Sequence, residues 1–112
     1  MDHSVNVNGI NYNVKLTTSK NADLGEGNRG MTLFEDLKIL LDKSMAKELR
    51  VKTFYHELAH ALVEATSFNN VIMRKFSDDD FEIFIDQLGY AIQFLLKNND
   101  LNELENYIKK EE

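Results

Sequence analysis

The chain has 112 residues, 43% of them hydrophobic, and a formal net charge of −6, which fits one domain with a single core and excludes two catalytic lobes. It contains no cysteine, which excludes disulfides and thiolate metal sites and leaves histidine and carboxylate as metal ligands. Scattered basic residues in an acidic chain argue against a nucleic-acid partner, and without a signal peptide or a long apolar run we expect a cytoplasmic protein outside the membrane.

The first predicted element is a β-hairpin. Apolar and polar residues alternate on both sides of Asn8-Gly9, a dipeptide that favours the tight type I′ turn between two strands. A polar, glycine-containing stretch from residue 17 to residue 30 follows. We then predict a strand at about residues 37–42, paired with a short strand near 31–34, which completes a small antiparallel sheet.

Two long helices follow the predicted strands. The first should run from Met45 to about Thr66, and Asn69-Asn70 should mark the loop after it. The second should begin at Ser77, a favourable N-cap, and end at about residue 98. Its apolar residues recur at helical spacing, which predicts that it packs against the first helix.

A short last helix is predicted after Asp100, which can form a capping box with Glu103. The order of elements therefore predicts an α+β fold in which an N-terminal hairpin and small antiparallel sheet precede packed helices. We expect a single domain over residues 1–112, β-rich over about 1–44 and helical over about 45–112.

The motif His56-Glu57-Leu58-Ala59-His60 lies within the first predicted helix. Residues four apart lie on the same face of a helix, so both imidazoles can bind one zinc ion. The glutamate between them would lie beside the open metal position, where it can act as general base. The alternative interpretation is a helix in which two histidines happen to be one turn apart.

A zinc site requires a third protein ligand, and a carboxylate on the following antiparallel helix has suitable geometry. We select Glu82, because the apolar residues around it bury its helix and Gly89 would let the two helices approach closely. A metzincin site is excluded, because Val63 and Thr66 occupy the positions where that motif requires glycine and a third histidine.

Other candidate ligands have structural explanations that compete with metal binding. His3 precedes the first strand, in a part of the chain that is usually loose. Asp78, Asp79 and Asp80 would complement the positive end of the second helix. Asp86 is either a partner that orients a metal-bound histidine or a solvated helix residue.

The sequence does not assign two further functions, stabilisation of the oxyanion and binding of the substrate. Tyr90, Tyr55 or Arg74 could stabilise an oxyanion if the fold brings one of them near the metal. The strand from Lys38 to Leu41 could pair with an extended peptide if it lies at the sheet edge.

The segment from Gly25 to Gly30 matches the dinucleotide-binding pattern G-x-G-x-x-G. A strand-like segment follows it, whereas a dinucleotide site requires a helix at that point. We interpret the segment as a flexible loop between strands that at most flanks the active-site cleft.

The chain resembles the small phage and prophage relatives of the ImmA/IrrE metallopeptidases. The resemblance covers roughly residues 5–98 and rests on the hairpin around Asn8-Gly9, the strand at 36–42, the segment 53–62 with its H-E-x-x-H motif and the helix around Glu82. Only the zinc motif is specific. The sequence departs from the family pattern at Gly89, where alanine is more usual.

This resemblance implies a minimal zincin-like domain of the gluzincin type. It implies that His56, His60 and Glu82 bind Zn²⁺ and that Glu57 is the catalytic base of a metallo-endopeptidase. It further implies a phage-encoded enzyme whose substrate is a protein or peptide, such as a repressor or a host protein.

Two functions of different classes follow from these residues. The first is a zinc metallopeptidase that hydrolyses peptide bonds. The second is a non-catalytic binding module in which zinc holds two helices together and the surface contacts a regulatory protein. Glu57 distinguishes them, because a structural zinc site requires its ligands but has no use for a general base.

Overall fold

A computed structural model describes residues 3–65 and 74–109. The described residues include four strands and three helices, which confirms the predicted α+β class. These elements are β1 (Ser4–Val7), β2 (Ile10–Thr17), β3 (Gly30–Leu33), β4 (Lys38–Asp42), α1 (Lys47–Glu64), α2 (Asp78–Asn98) and α3 (Leu101–Ile108). The predicted helix end at Thr66 and the predicted loop at Asn69-Asn70 lie outside the described residues.

The predicted N-terminal hairpin is confirmed. β1 and β2 pair in antiparallel orientation, with Val7 opposite Ile10. Asn8 and Gly9 have φ angles of 53° and 92°, as a type I′ turn requires at both central positions. The Asn6 side chain accepts a hydrogen bond of 3.0 Å from the Gly9 amide, which closes the turn.

The sheet is mixed, so the predicted antiparallel sheet is wrong in this detail. The strand order is β1-β2-β4-β3, and β2 pairs with β4 in parallel orientation. The reason lies in β4, where the consecutive residues Ile39, Leu40 and Leu41 are all at most 3% exposed. A strand buried on both faces requires a central position. The segment Lys38–Leu41 is therefore not the edge strand, and β3 occupies that edge.

Helix α1 lies between two apolar clusters. On one side, Leu58 and Ala61 pack with residues of the sheet, including Ile39. On the other side, Ala59 and Val63 pack against α2 around Ile85. Because both faces of α1 are covered, the sheet and α2 fix the orientation of the side chains that α1 carries.

The predicted starts of the last two helices are confirmed. The Ser77 hydroxyl accepts a hydrogen bond from the Asp80 amide at 3.2 Å, and the Asp100 carboxylate accepts one from the Glu103 amide at 3.0 Å. Such caps satisfy amides that have no partner inside the helix. None of the helices in the described part of the chain combines the length and the apolar content that a bilayer crossing requires.

Candidate metal centre

The candidate site lies where α1 and α2 face each other. Each helix contributes three side chains spaced by four residues, and such residues share one helix face. Because the helices are antiparallel, the side chains meet in pairs along the interface. The pairs are Lys52 with Tyr90, His56 with Asp86, and His60 with Glu82, which also contacts His56.

One carboxylate oxygen meets both motif histidines. Glu82 Oε1 lies 3.2 Å from His56 Nε2 and 3.4 Å from His60 Nε2. The two imidazole rings are 5.0 Å apart between centroids. The structure therefore brings together the three side chains selected as metal ligands from the sequence, with Glu82 Oε1 near the Nε2 atoms of both histidines. The Glu82 side chain is 54% exposed, so this point is open to solvent.

The His56 ring is engaged at both of its nitrogens. Its Nδ1 lies 3.4 Å from Asp86 Oδ1, while Nε2 faces Glu82. A carboxylate on the nitrogen remote from a metal is a common way to hold a histidine ligand in one tautomer and orientation. Asp86 contacts the His56 nitrogen that faces away from Glu82, and its side chain is 41% exposed. The second histidine, His60, packs against Phe81, with 5.9 Å between the centroids of the two rings.

Glu57 is buried behind the histidine pair. It is 7% exposed, and its Oε1 accepts a hydrogen bond of 2.8 Å from the Thr32 hydroxyl. This hydroxyl also lies 3.1 Å from the Glu57 carbonyl oxygen. Thr32 is itself buried on the edge strand β3. One carboxylate oxygen is therefore held by the sheet, and no hydrogen bond engages the other among the residues that the structure describes.

The group formed by His56, Glu57 and His60 can hold a metal ion. Each of the three residues offers one ligand atom, and these atoms all lie within 4.8 Å of one another. Glu57 thus lies within 4.8 Å of a ligand atom of each histidine.

Two glycines permit the close approaches that build the site. A Cβ on Gly30 would lie 2.8 Å from Thr53 Cγ2 and 3.0 Å from Glu57 Cγ, so a side chain there would push β3 away from α1. A Cβ on Gly89 would lie 2.9 Å from the Tyr55 carbonyl oxygen and 3.1 Å from the His56 backbone. The close approach of the helices predicted at Gly89 is confirmed.

The site opens into a polar cleft. The cleft lies between the loop before β3, the first half of α1 and the start of α2, and its lining residues include Arg29, Lys52, Glu57, Glu82 and Asp86. The loop contributes part of the pattern G-x-G-x-x-G and leads into a strand, as expected for a segment that flanks the cleft.

Among the competing metal ligands, His3 and the three aspartates at the start of α2 are not part of the cleft lining. His3 lines an apolar groove on the sheet side of α1, next to Val5 and Tyr55. Asp78, Asp79 and Asp80 are exposed in the first turn of α2.

The candidates for oxyanion stabilisation are not part of the cleft lining. Tyr55 packs against the sheet core. The Tyr90 ring lies against Lys52, whose Nζ is 4.6 Å from the ring centroid. Neither Tyr90 nor Arg74 lines the cleft in the described part of the chain.

Three residues of the site were not predicted from the sequence. Lys52 lies one turn before His56, so the helical spacing that relates the two histidines could have found it. Thr32 and Arg29 are more than twenty residues from the motif. No local sequence signal connects them to it, because their positions depend on how the sheet packs on α1.

The chain was compared with protein-family models, with curated proteins and with solved structures, and none of these comparisons gave a match.

Proposed function

We propose that this protein is a zinc-dependent metallopeptidase of a minimal zincin-like, gluzincin type, related to the ImmA/IrrE family. In this proposal His56, His60 and Glu82 bind Zn²⁺ and Glu57 is the general base. The observation that carries it is the convergence of Glu82 Oε1 on the two histidine Nε2 atoms, with the buried Glu57 beside them.

The spacing between the Glu82 oxygen and each histidine nitrogen supports zinc. Zinc binds histidine nitrogen and carboxylate oxygen at roughly 2.0–2.2 Å in tetrahedral geometry, which places neighbouring ligand atoms about 3.3 Å apart. The observed separations of 3.2 and 3.4 Å agree with this value. Two histidines with one glutamate form a known catalytic zinc ligand set, which leaves one position open.

The chain's own residues account for the proton transfers of hydrolysis. A bound zinc ion supplies Lewis acidity, which polarises the scissile carbonyl and lowers the pKa of water at the metal to about 7. The free oxygen of Glu57 accepts a proton from the attacking water and later donates it to the leaving amine. Thr32 holds the other oxygen through its 2.8 Å hydrogen bond, so the base keeps a fixed position in both steps.

The edge strand supports binding of an extended peptide. β3 pairs with β4 on one side, and its other side has no partner strand within the described residues. β3 also contributes Thr32 and Gly30, which contact Glu57 or closely approach it. A peptide that pairs with the free side of β3 would therefore pass over the metal centre.

Metal content and hydrolysis test this function together. Protein purified without a histidine tag should bind about one zinc ion per chain, and His56→Ala should lose it, because the site would then have only two ligands. Elemental analysis after incubation with zinc and dialysis gives the measurement. The zinc-loaded wild type should also cleave peptides of a proteome-derived library in a reaction that a chelator stops.

Two results would contradict this proposal in different ways. Wild type that binds no zinc under these conditions would exclude the metal site itself. Zinc binding without any hydrolysis would instead favour the zinc-stabilised, non-catalytic binding module.

Thr32 provides a separate prediction. Thr32→Val keeps the side-chain shape but removes the donor to Glu57, so we expect kcat/KM to fall about tenfold with zinc content unchanged, equivalent to roughly 1.4 kcal/mol. Thr32→Ser restores a hydroxyl and should recover most of the rate. Steady-state kinetics on a peptide cleaved by the wild type gives the measurement. Equal rates for the valine and threonine proteins would show that Glu57 does not depend on this hydrogen bond.

A further inference from the structure

Two cations in the cleft have no role in the proposed mechanism. Arg29 lies on the loop immediately before β3, and Lys52 lies on α1, one turn before His56. No hydrogen bond or ion pair engages the Arg29 guanidinium within the residues that the structure describes. A free guanidinium in a cleft can bind a carboxylate in bidentate geometry.

The second cation, Lys52, packs against Tyr90 on α2. Lys52 Nζ lies 4.6 Å from the Tyr90 ring centroid. A hydrogen bond with Tyr90 raises the pKa of Lys52, and the charge of Asp86 adds to this effect, while the charge of Arg29 opposes it. Lys52 is therefore a cation at neutral pH. Arg29 and Lys52 both line the cleft.

The spacing between Lys52 and His56 along α1 matches a short piece of substrate. Four residues along α1 separate Lys52 from His56, which corresponds to about 6 Å along the helix axis. Two residues of an extended peptide span roughly 6.6 Å. Arg29 directly precedes Gly30, where β3 begins. A peptide paired with β3 would thus place a residue near both cations, within about two residues of the scissile bond.

We infer that Arg29 and Lys52 form a subsite for an acidic side chain, aspartate or glutamate, of the peptide substrate. The inference rests on the proposed peptidase function and assigns its sequence preference. The chain as a whole carries a net charge of −6, which repels acidic peptides. The pair of cations in the cleft would instead attract an acidic side chain locally.

The test compares cleavage sites in a proteome-derived peptide library. Zinc-loaded wild type is compared with Arg29→Gln/Lys52→Gln and with the control Lys43→Gln/Lys47→Gln, which removes the same charge at exposed positions outside the cleft. Mass spectrometry of the products should show aspartate or glutamate enriched within two residues of the cleaved bond. The enrichment should fall roughly tenfold in the cleft variant and stay unchanged in the control.

Two further measurements do not require hydrolysis by the cleft variant. The acidic preference of the wild type should weaken as sodium chloride is raised, because exposed charges are screened. Zinc-loaded Glu57→Gln, immobilised and exposed to the same library, should retain acidic peptides, and Arg29→Gln/Lys52→Gln in that background should not.

The possible outcomes separate this inference from the function on which it rests. Cleavage without acidic enrichment, or with enrichment equal in the cleft variant, overturns the subsite and leaves the peptidase intact. No cleavage by wild type counts against the peptidase. In that case the peptides retained by immobilised Glu57→Gln test the subsite. The subsite is excluded if no acidic peptides are retained, or if the same peptides are retained after Arg29→Gln/Lys52→Gln.

Discussion

Zinc-loaded Glu57→Gln should retain its metal and lose peptide hydrolysis by about 10²–10⁴-fold in kcat, the contribution typical of a general base. Glutamine has nearly the same shape as glutamate, and its carbonyl oxygen can still accept the hydrogen bond that Thr32 donates. It cannot take a proton from water at neutral pH. The variant thus removes the proton acceptor and leaves the surrounding structure unchanged, and elemental analysis with steady-state kinetics measures both properties.

Glu48→Gln is the matched control, since it makes the same chemical change on an exposed residue in the first turn of α1. It should behave as wild type in both measurements. If Glu57→Gln hydrolysed peptides as fast as this control, Glu57 would not be the base. If Glu57→Gln lost zinc, Glu57 would contribute to metal binding, and its assignment as a base that is not a ligand would be wrong.

Gly89→Ala should disrupt the metal centre by separating α2 from α1. The new Cβ would lie 2.9 Å from the Tyr55 carbonyl oxygen and 3.1 Å from the His56 backbone, and backbone atoms in a helix cannot move aside independently. Alanine favours a helix over glycine by about 1 kcal/mol. Overpacking costs roughly 1–3 kcal/mol, so the net effect is destabilising, and α2 must shift away from α1.

This shift should weaken zinc binding at least tenfold. His56 lies on α1 and Glu82 on α2, so any separation of the helices lengthens the distance of 3.2 Å between His56 Nε2 and Glu82 Oε1, the two atoms proposed to bind the metal. Thermal unfolding of the metal-free protein and competition with a chromogenic zinc chelator measure the two effects. Gln87→Ala introduces alanine at an exposed position of the same helix and should leave zinc affinity unchanged. Unaltered zinc affinity in Gly89→Ala would show that the helices already have room.

The features that could be predicted from the sequence depend on neighbours within a few residues. Asn8-Gly9 predicted the hairpin because a type I′ turn requires positive φ at both positions, and both are observed. Ser77 predicted the start of α2 because its hydroxyl caps an amide three residues away. The histidine pair shares one helix face for the same local reason, namely the helical repeat.

The arrangement of strands was decided by tertiary structure. The parallel pairing of β2 with β4 depends on where a completely buried strand can be covered on both faces. Turn residues and the boundaries of the strands did not contain this information, so the sheet was predicted as antiparallel and Lys38–Leu41 was considered for the edge. The run Ile39-Leu40-Leu41 was the available signal, since central strands are continuously apolar.

The composition of the site divides in the same way. Local spacing determined that His56 and His60 can bind one ion and that Glu57 lies between them. Only packing decided that Glu82 reaches both histidines while Asp86, one turn later, contacts the other nitrogen of His56. Packing also decided that Thr32 meets Glu57, because residues 25 positions apart are brought together by the docking of β3 on α1 and by no interaction along the chain.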